Sequence, residues 1–197
     1  HGRLLRFPAP LAPVFDVPAF TNQFPFPVSG TTEPGARVDL FVHGAATAVT
    51  GLSDVFGAFS LLVPLMPNAS NSFEGSATPH AGEGLTSPPA EAMLTHDERA
   101  PRVSFQEPRE NGFVWGTVTV QAQATHDGSQ VASLALRVGT QPLTATLSPA
   151  PALSVSATAA WNTIPFGDGP QMLAAVAKDQ AGNLATTTRV VMVDNPP

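Results

Sequence analysis

Cysteine is absent from this 197-residue chain, and so is tyrosine. The first absence excludes disulfides, thiolate zinc sites and cysteine nucleophiles together. It leaves the compartment open, because many surface proteins also do without cysteine. Basic residues are scarce: nine Lys and Arg stand against 15 Asp and Glu, for a net charge of −6. They form no cluster, so the footprint that neutralises nucleic-acid phosphates is missing, and anionic membrane surfaces are disfavoured for the same reason. No apolar run reaches the ~18 residues of a membrane span; the longest, Phe59–Met66 and Met172–Ala177, are strand-sized. Long helices are excluded by punctuation, since 21 prolines and 16 glycines are spread through the chain. Charged residues are only 12%, about half the usual share, so Thr, Ser, Asn, Gln and Gly must cover the surface.

What is present is strand text. Val38, Leu40 and Val42 share one face of a period-2 run, with Asp39 and Phe41 on the other. The turn Asp54-Val55-Phe56-Gly57 then launches Phe59, Leu61, Val63 and Leu65, all pointing one way. A further turn over 68–71 precedes a strand carrying Phe73, Gly75 and Ala77. In the second half Val118, Val120, Ala122 and Ala124 alternate with Thr119, Gln121 and Gln123, and Val131, Leu134, Leu136 and Val138 follow. Residues 145–156 read as an irregular Ser/Ala/Pro segment. Leu173, Ala175 and Ala177 alternate into a turn at Asp179–Asn183, and Val191 and Val193 close the sheet. Turns about every ten residues between short alternating strands indicate a sandwich.

The chain divides at 84–101, a last strand followed by a charged, proline-ended joint. Three segments result: an N-terminal arm or linker over 1–12, a first module over 13–98, and a second over 99–197 that ends in a linker. The halves form a weak repeat of ~95 residues, a module array rather than a solenoid. Ala77–Glu83 answers Ala177–Asn183, and the joint at 96–101 answers 193–197. The chain opens on His1 without an initiator Met, so the expectation is a piece of a longer protein.

These residues carry a resemblance. The run Gly30-Thr31-Thr32-Glu33-Pro34-Gly35-Ala36, then Asp54-x-x-Gly57-x-Phe59, then Asn71-x-Phe73, resembles the bacterial immunoglobulin-like domains strung along secreted and surface proteins. In the second half Trp161-Asn162-Thr163, Gly167-Asp168-Gly169, Leu173 and Ala177-x-Asp179-x-Ala181-Gly182-Asn183 resemble that pattern more closely. The resemblance covers most of 13–195 and implies an all-β chain of two tandem immunoglobulin-like β-sandwiches. It is nearly silent on function, because such modules serve as spacers, adhesins and enzyme appendages. Some tandem relatives bind calcium at module joints through acids, which makes Asp97, Glu98, Asp179 and Asp194 the metal candidates. Pro79 stands where the family usually keeps Asp, and Glu83 where it keeps Asn.

The competing reading of Asp179 is a turn whose carboxylate caps backbone N–H groups, and of Asp97 and Glu98 a solvated joint. Calcium requires six to eight oxygens, so otherwise no cofactor is expected. Trp161 reads as core and Trp115 as the more exposed aromatic, a binding candidate for a sugar ring. His1, His43, His80, His96 and His126 show no metal spacing, although an N-terminal histidine is a known type of copper ligand. No Gly-x-Ser-x-Gly elbow, paired-carboxylate motif or phosphate loop occurs, and the chain reads as not an enzyme.

The expected function is a non-catalytic extracellular or cell-surface spacer, stalk or adhesive module. Its partners would be neighbouring immunoglobulin-like modules, with a glycan or cell surface as a further possibility, and neither nucleic acid nor a membrane span. Two alternatives stay open. One is a filament subunit assembled by strand or arm exchange, with Leu4, Leu5 and Phe7 of the arm as the donated residues. The other is an accessory domain of a secreted carbohydrate-active enzyme, or a copper protein through His1.

Overall fold

A computed structural model describes residues 9–42, 48–79 and 84–196. The described residues form strands and no helix, in two compact units divided between Asp97 and Glu98. Each unit is taken separately.

Unit 1 contains β1 (Val14–Asp16), β2 (Phe20–Thr21), β3 (Phe26–Thr31), β4 (Arg37–Val42), β5 (Val49–Leu52), β6 (Ala58–Val63), β7 (Ser70–Thr78) and β8 (Ala90–His96). They build a three-stranded sheet ordered β1-β3-β6 and a five-stranded sheet ordered β2-β8-β7-β4-β5. The inner face follows from alternation: Val38, Leu40 and Val42 on β4 and Phe59, Leu61 and Val63 on β6 are buried, while their neighbours point to solvent. Aromatic rings fill much of the space between the sheets. Phe26, Phe59 and Phe73 lie in the core, and Phe15 meets Phe59 edge-to-face at 6.0 Å. Gly30 is required there, because a Cβ would strike the Val14 carbonyl and the Phe59 ring.

Unit 2 contains β9 (Arg102–Glu107), β10 (Phe113–Val114), β11 (Thr117–Thr125), β12 (Val131–Val138), β13 (Gln141–Leu143), β14 (Ala145–Leu147), β15 (Ser154–Asn162), β16 (Gly169–Asp179) and β17 (Leu184–Val193). Its sheets are β14-β15-β11-β9 and β10-β17-β16-β12-β13. Labelled A to G in chain order, these are the ABED and GFC sheets of an immunoglobulin fold. A short A′ strand (β10) runs parallel to G, and a C′ strand (β13) extends the second sheet. Unit 1 has the same order with one strand missing: β5 leads through 53–57 directly into β6, so no D strand precedes E. Both units are immunoglobulin-like β-sandwiches.

The core of unit 2 differs in substance. Small residues on facing strands (Ala122, Ala124, Ala157, Ala159, Ala175, Ala177) leave room for one large ring, Trp161, which is 2% exposed and meets Phe166 edge-to-face at 5.3 Å. The tryptophan sits on strand E, opposite Val118 of strand B. In antibody domains the core tryptophan stands on strand C beside a disulfide. Arg189 crosses between the sheets, its guanidinium donating to the Pro108 and Phe105 carbonyls at 2.7 and 3.1 Å and lying over the Phe105 ring.

One sequence expectation fails. Residues 145–156, read as irregular, hold β14 and the start of β15, because Ala145, Thr146 and Leu147 pair with Ala159, Thr158 and Ala157. Pro149 and Pro151 end each run after too few residues for alternation to show.

Candidate functional site

The residues singled out in the sequence fall into distinct places. Strand register identifies Pro79 and Asp179 as equivalents, as are Asp97 and Asp194. In each unit the N–H of that exit aspartate donates to the A′ strand, Asp97 to the Thr21 carbonyl at 2.9 Å and Asp194 to the Val114 carbonyl at 3.1 Å. Asp97 is buried, Glu98 exposed and Asp194 exposed. Asp179 ends β16 and Asp194 follows β17. The two strands pair antiparallel from Gly169↔Val193 to Lys178↔Leu184, which puts these two acids at opposite ends of the ladder. They do not share one ion within unit 2.

Asp179 is the most elaborated polar group of unit 2. Its Oδ1 accepts from the Gly182 and Asn183 N–H groups at 2.7 and 2.8 Å, and its Oδ2 accepts from Asn183 Nδ2 at 2.8 Å. Gly182 adopts φ +102°, which favours glycine, and the sequence Asp-Gln-Ala-Gly-Asn is therefore a carboxylate-capped turn. His126 Nε2 lies 3.5 Å from the same Oδ2, and both side chains are almost wholly buried. The Asn183 side chain also donates to the Arg99 carbonyl, and the Ala181 N–H to Ser129 Oγ, so the capped turn gathers the loops around it. Sequence reading missed the His126 contact. The two residues stand 53 positions apart, and no spacing rule links them.

Beside this cluster lies an open depression lined by Arg99, Arg102, Thr125, His126, Asp127 and Leu153. Arg99 and Asp127 are exposed and 4.0 Å apart, a screened surface pair of little energetic weight.

At the opposite end, the resemblance motifs acquire a physical reason. The Thr163 hydroxyl lies 3.0 Å from the Gly116 carbonyl and 2.7 Å from Asn195 Oδ1. Asn195 in turn donates through Nδ2 to the Thr163 and Phe166 carbonyls and through its N–H to Asp168 Oδ1. The threonine of Trp161-Asn162-Thr163 and the aspartate of Gly167-Asp168-Gly169 thus fix where the chain leaves the sandwich. Trp115 projects from the same end and is 63% exposed, with Phe113 and Ile164 also exposed. In unit 1 the Asp54-x-x-Gly57-x-Phe59 motif is a second capped turn: Asp54 Oδ1 accepts from Phe56 and Ala58, and Gly57 adopts φ +84°.

Leu4, Leu5 and Phe7, together with His1, His43 and His80, lie outside the described residues. His96 is buried in unit 1, its Nδ1 accepting from the Asn68 N–H at 3.2 Å.

No family model and no curated protein sequence matches the chain. Solved structures do. A fragment of a 1.5-MDa bacterial ice-binding adhesin aligns over 90% of this chain and 61% of its own, at 18% identity and a TM-score of 0.45. The D1–D4 ectodomain fragment of ICAM-5 aligns over 93% of this chain and 53% of its own, at 17% identity and a TM-score of 0.45. The endo-β-1,4-mannanase of Thermotoga petrophila aligns over 50% of this chain and 20% of its own, at 17% identity and a TM-score of 0.42. This chain therefore spans less than two thirds of each. At these scores the likenesses carry no functional argument, and the immunoglobulin-like assignment rests on strand order.

Proposed function

We propose that the chain is part of a tandem array of bacterial immunoglobulin-like modules, secreted or on a cell surface, and acts there as a non-catalytic spacer with adhesive capacity. The observation that carries this reading is the repetition itself. Two sandwiches share one strand order, and the exit aspartates Asp97 and Asp194 hold the same hydrogen bond to the A′ strand. Repeating a folding unit with a fixed exit is a way to gain length, whereas neither the capped turns nor the exit lock presents a nucleophile and base to a cavity. The Asp179 and Asn195 side chains of unit 2 are engaged in holding loops and the exit of the chain. Neighbouring modules are the partners this reading requires. A glycan stacked on Trp115 and calcium held by Asp97, Glu98, Asp179 or Asp194 are ligand chemistries compatible with it.

The test is mechanical. Pulled from its two ends, the chain is expected to unfold in two separate events, each releasing roughly 30 nm of contour at ~3.5 Å per residue. Release of the whole length without a resolvable force peak would overturn a load-bearing role.

Assembly by strand exchange is favoured by one specific feature, the missing D strand of unit 1, which leaves the E strand β6 at a sheet edge among the described residues. Filament formation through the N-terminal arm is the form of that reading expected from the sequence. Deleting residues 1–12 should then abolish fibres, and fibres that persist without them would end it.

A further inference from the structure

Unit 2 covers its E strand and unit 1 does not. In unit 2, β14 pairs with β15 through Ala145↔Ala159, Thr146↔Thr158 and Leu147↔Ala157. In unit 1, β6 pairs with β3 from Thr31↔Ala58 to Phe26↔Val63, and among the described residues no strand pairs with its other edge. The connection before β6 is too short to supply one, because only 53–57 separate it from β5.

The exposed edge has an unusual composition. Its six residues, Ala58-Phe59-Ser60-Leu61-Leu62-Val63, contain no charge, no proline and no glycine. Edge strands of soluble proteins are commonly protected by Lys, Pro or a bulge, and short uncharged β-prone segments are those that recruit another strand. Leu62 points outward and is 61% exposed, next to exposed Ser60 and Ala58. Phe59, Leu61 and Val63 point into the core.

We propose that β6 is a self-association edge, and that its occupant is β6 of a second copy, paired antiparallel about a two-fold axis. An isologous contact of this kind sets identical segments side by side, and an uncharged segment does so without opposing like charges. Directly opposed residues of an antiparallel pair face the same side. Registers that match Phe59, Leu61 and Val63 of one copy to the same set in the other therefore keep both cores intact and bring Ser60 and Leu62 together on the outside. The two three-stranded sheets merge into one of six strands. Ala58 is already bonded through both its N–H and its carbonyl to Asp54. The alternation of the β3 ladder turns the N–H and C=O groups of Ser60 and Leu62 to the edge, so these are the groups the second copy satisfies. The proposal concerns unit 1 alone and is independent of whether the chain serves as a spacer.

Sedimentation equilibrium of the full chain up to about 1 mM, the weak end of measurable affinities, tests it together with amide exchange. Expected are a monomer–dimer equilibrium and slower exchange of the Ser60 and Leu62 amides as concentration rises. Leu62→Lys, at a side chain already exposed, should weaken dimerisation at least tenfold with an unchanged melting curve, while Leu184→Lys in unit 2 leaves it intact. Because the chain has no cysteine, Ser60→Cys and Leu62→Cys chains mixed and oxidised should form a disulfide-linked dimer, whereas a Ser156→Cys chain should not. A monomer throughout the range overturns the proposal. So does a dimer insensitive to Leu62→Lys, or one without protection at Ser60 and Leu62, since either locates the contact elsewhere.

Discussion

The two units are one fold built with different devices, and the differences cluster where a sandwich must be closed. Unit 2 closes the turn between its F and G strands with Asp179, whose carboxylate gathers three N–H groups. Unit 1 has Pro79 at that position and uses Ser87 instead. The Ser87 N–H donates to the Ala77 carbonyl at 2.8 Å, and its hydroxyl accepts from the Ala77 N–H at 2.9 Å. Unit 2 sets alanines and valines around the ring of Trp161, whereas unit 1 mixes Phe26, Phe59 and Phe73 with valines and leucines. Unit 2 protects strand E with strand D, and among the described residues of unit 1 no strand does so. The lesson is that strand order tolerates replacement of its fastening groups, provided each buried N–H still finds an acceptor.

Substitutions that strike one unit's device should leave the other unit's transition in place, and calorimetry resolving two transitions reads the outcome. The largest effect is expected for Trp161→Ala, which removes the central ring of unit 2 and should cost about 4 kcal/mol. A loss below about 1 kcal/mol would mean that the alanine-lined strands collapse onto the gap. Next comes Asp179→Ala. It removes the side-chain acceptor of the Gly182 and Asn183 N–H groups in a half-buried turn and should lower unit 2 stability by about 2 kcal/mol. An equal fall in unit 1 would break the comparison.

Ser87→Ala is the matching blow to unit 1, about 1.5 kcal/mol for one buried N–H losing its acceptor. Unit 2 should be unmoved. The smallest effect expected is that of calcium. Three N–H groups already donate to the Asp179 carboxylate, which favours its role as a turn cap, so millimolar calcium or a chelator should leave the unit 2 midpoint in place. A clear rise with calcium would support the metal reading of Asp97, Glu98, Asp179 and Asp194.

Much of this fold was legible in the chain because its signals are local. Alternation over Val38–Val42, Phe59–Leu65 and Val118–Ala124 reports the inner faces directly, since a strand's period is two residues and one face must leave water. The capped turns were legible for the same reason: Asp54 and Asp179 act on N–H groups two to four residues away. Strand D of unit 2 was not legible, because Ala145–Leu147 is too short for a period to register, and its partners in β15, Ala157 to Ala159, follow a Pro-Ala-Pro interruption.

The sequence by itself determined the fold class, the two modules, the core faces and the identity of the turn aspartates. Each of these follows from side-chain chemistry read over fewer than a dozen residues. Only the tertiary structure decided which loops the Asp179 turn would gather, that Thr163 and Asp168 would lock Asn195, and that β6 would be an edge. Those outcomes depend on which strands become neighbours across a sheet, and pairing brings together residues whose separation along the chain carries no record of it.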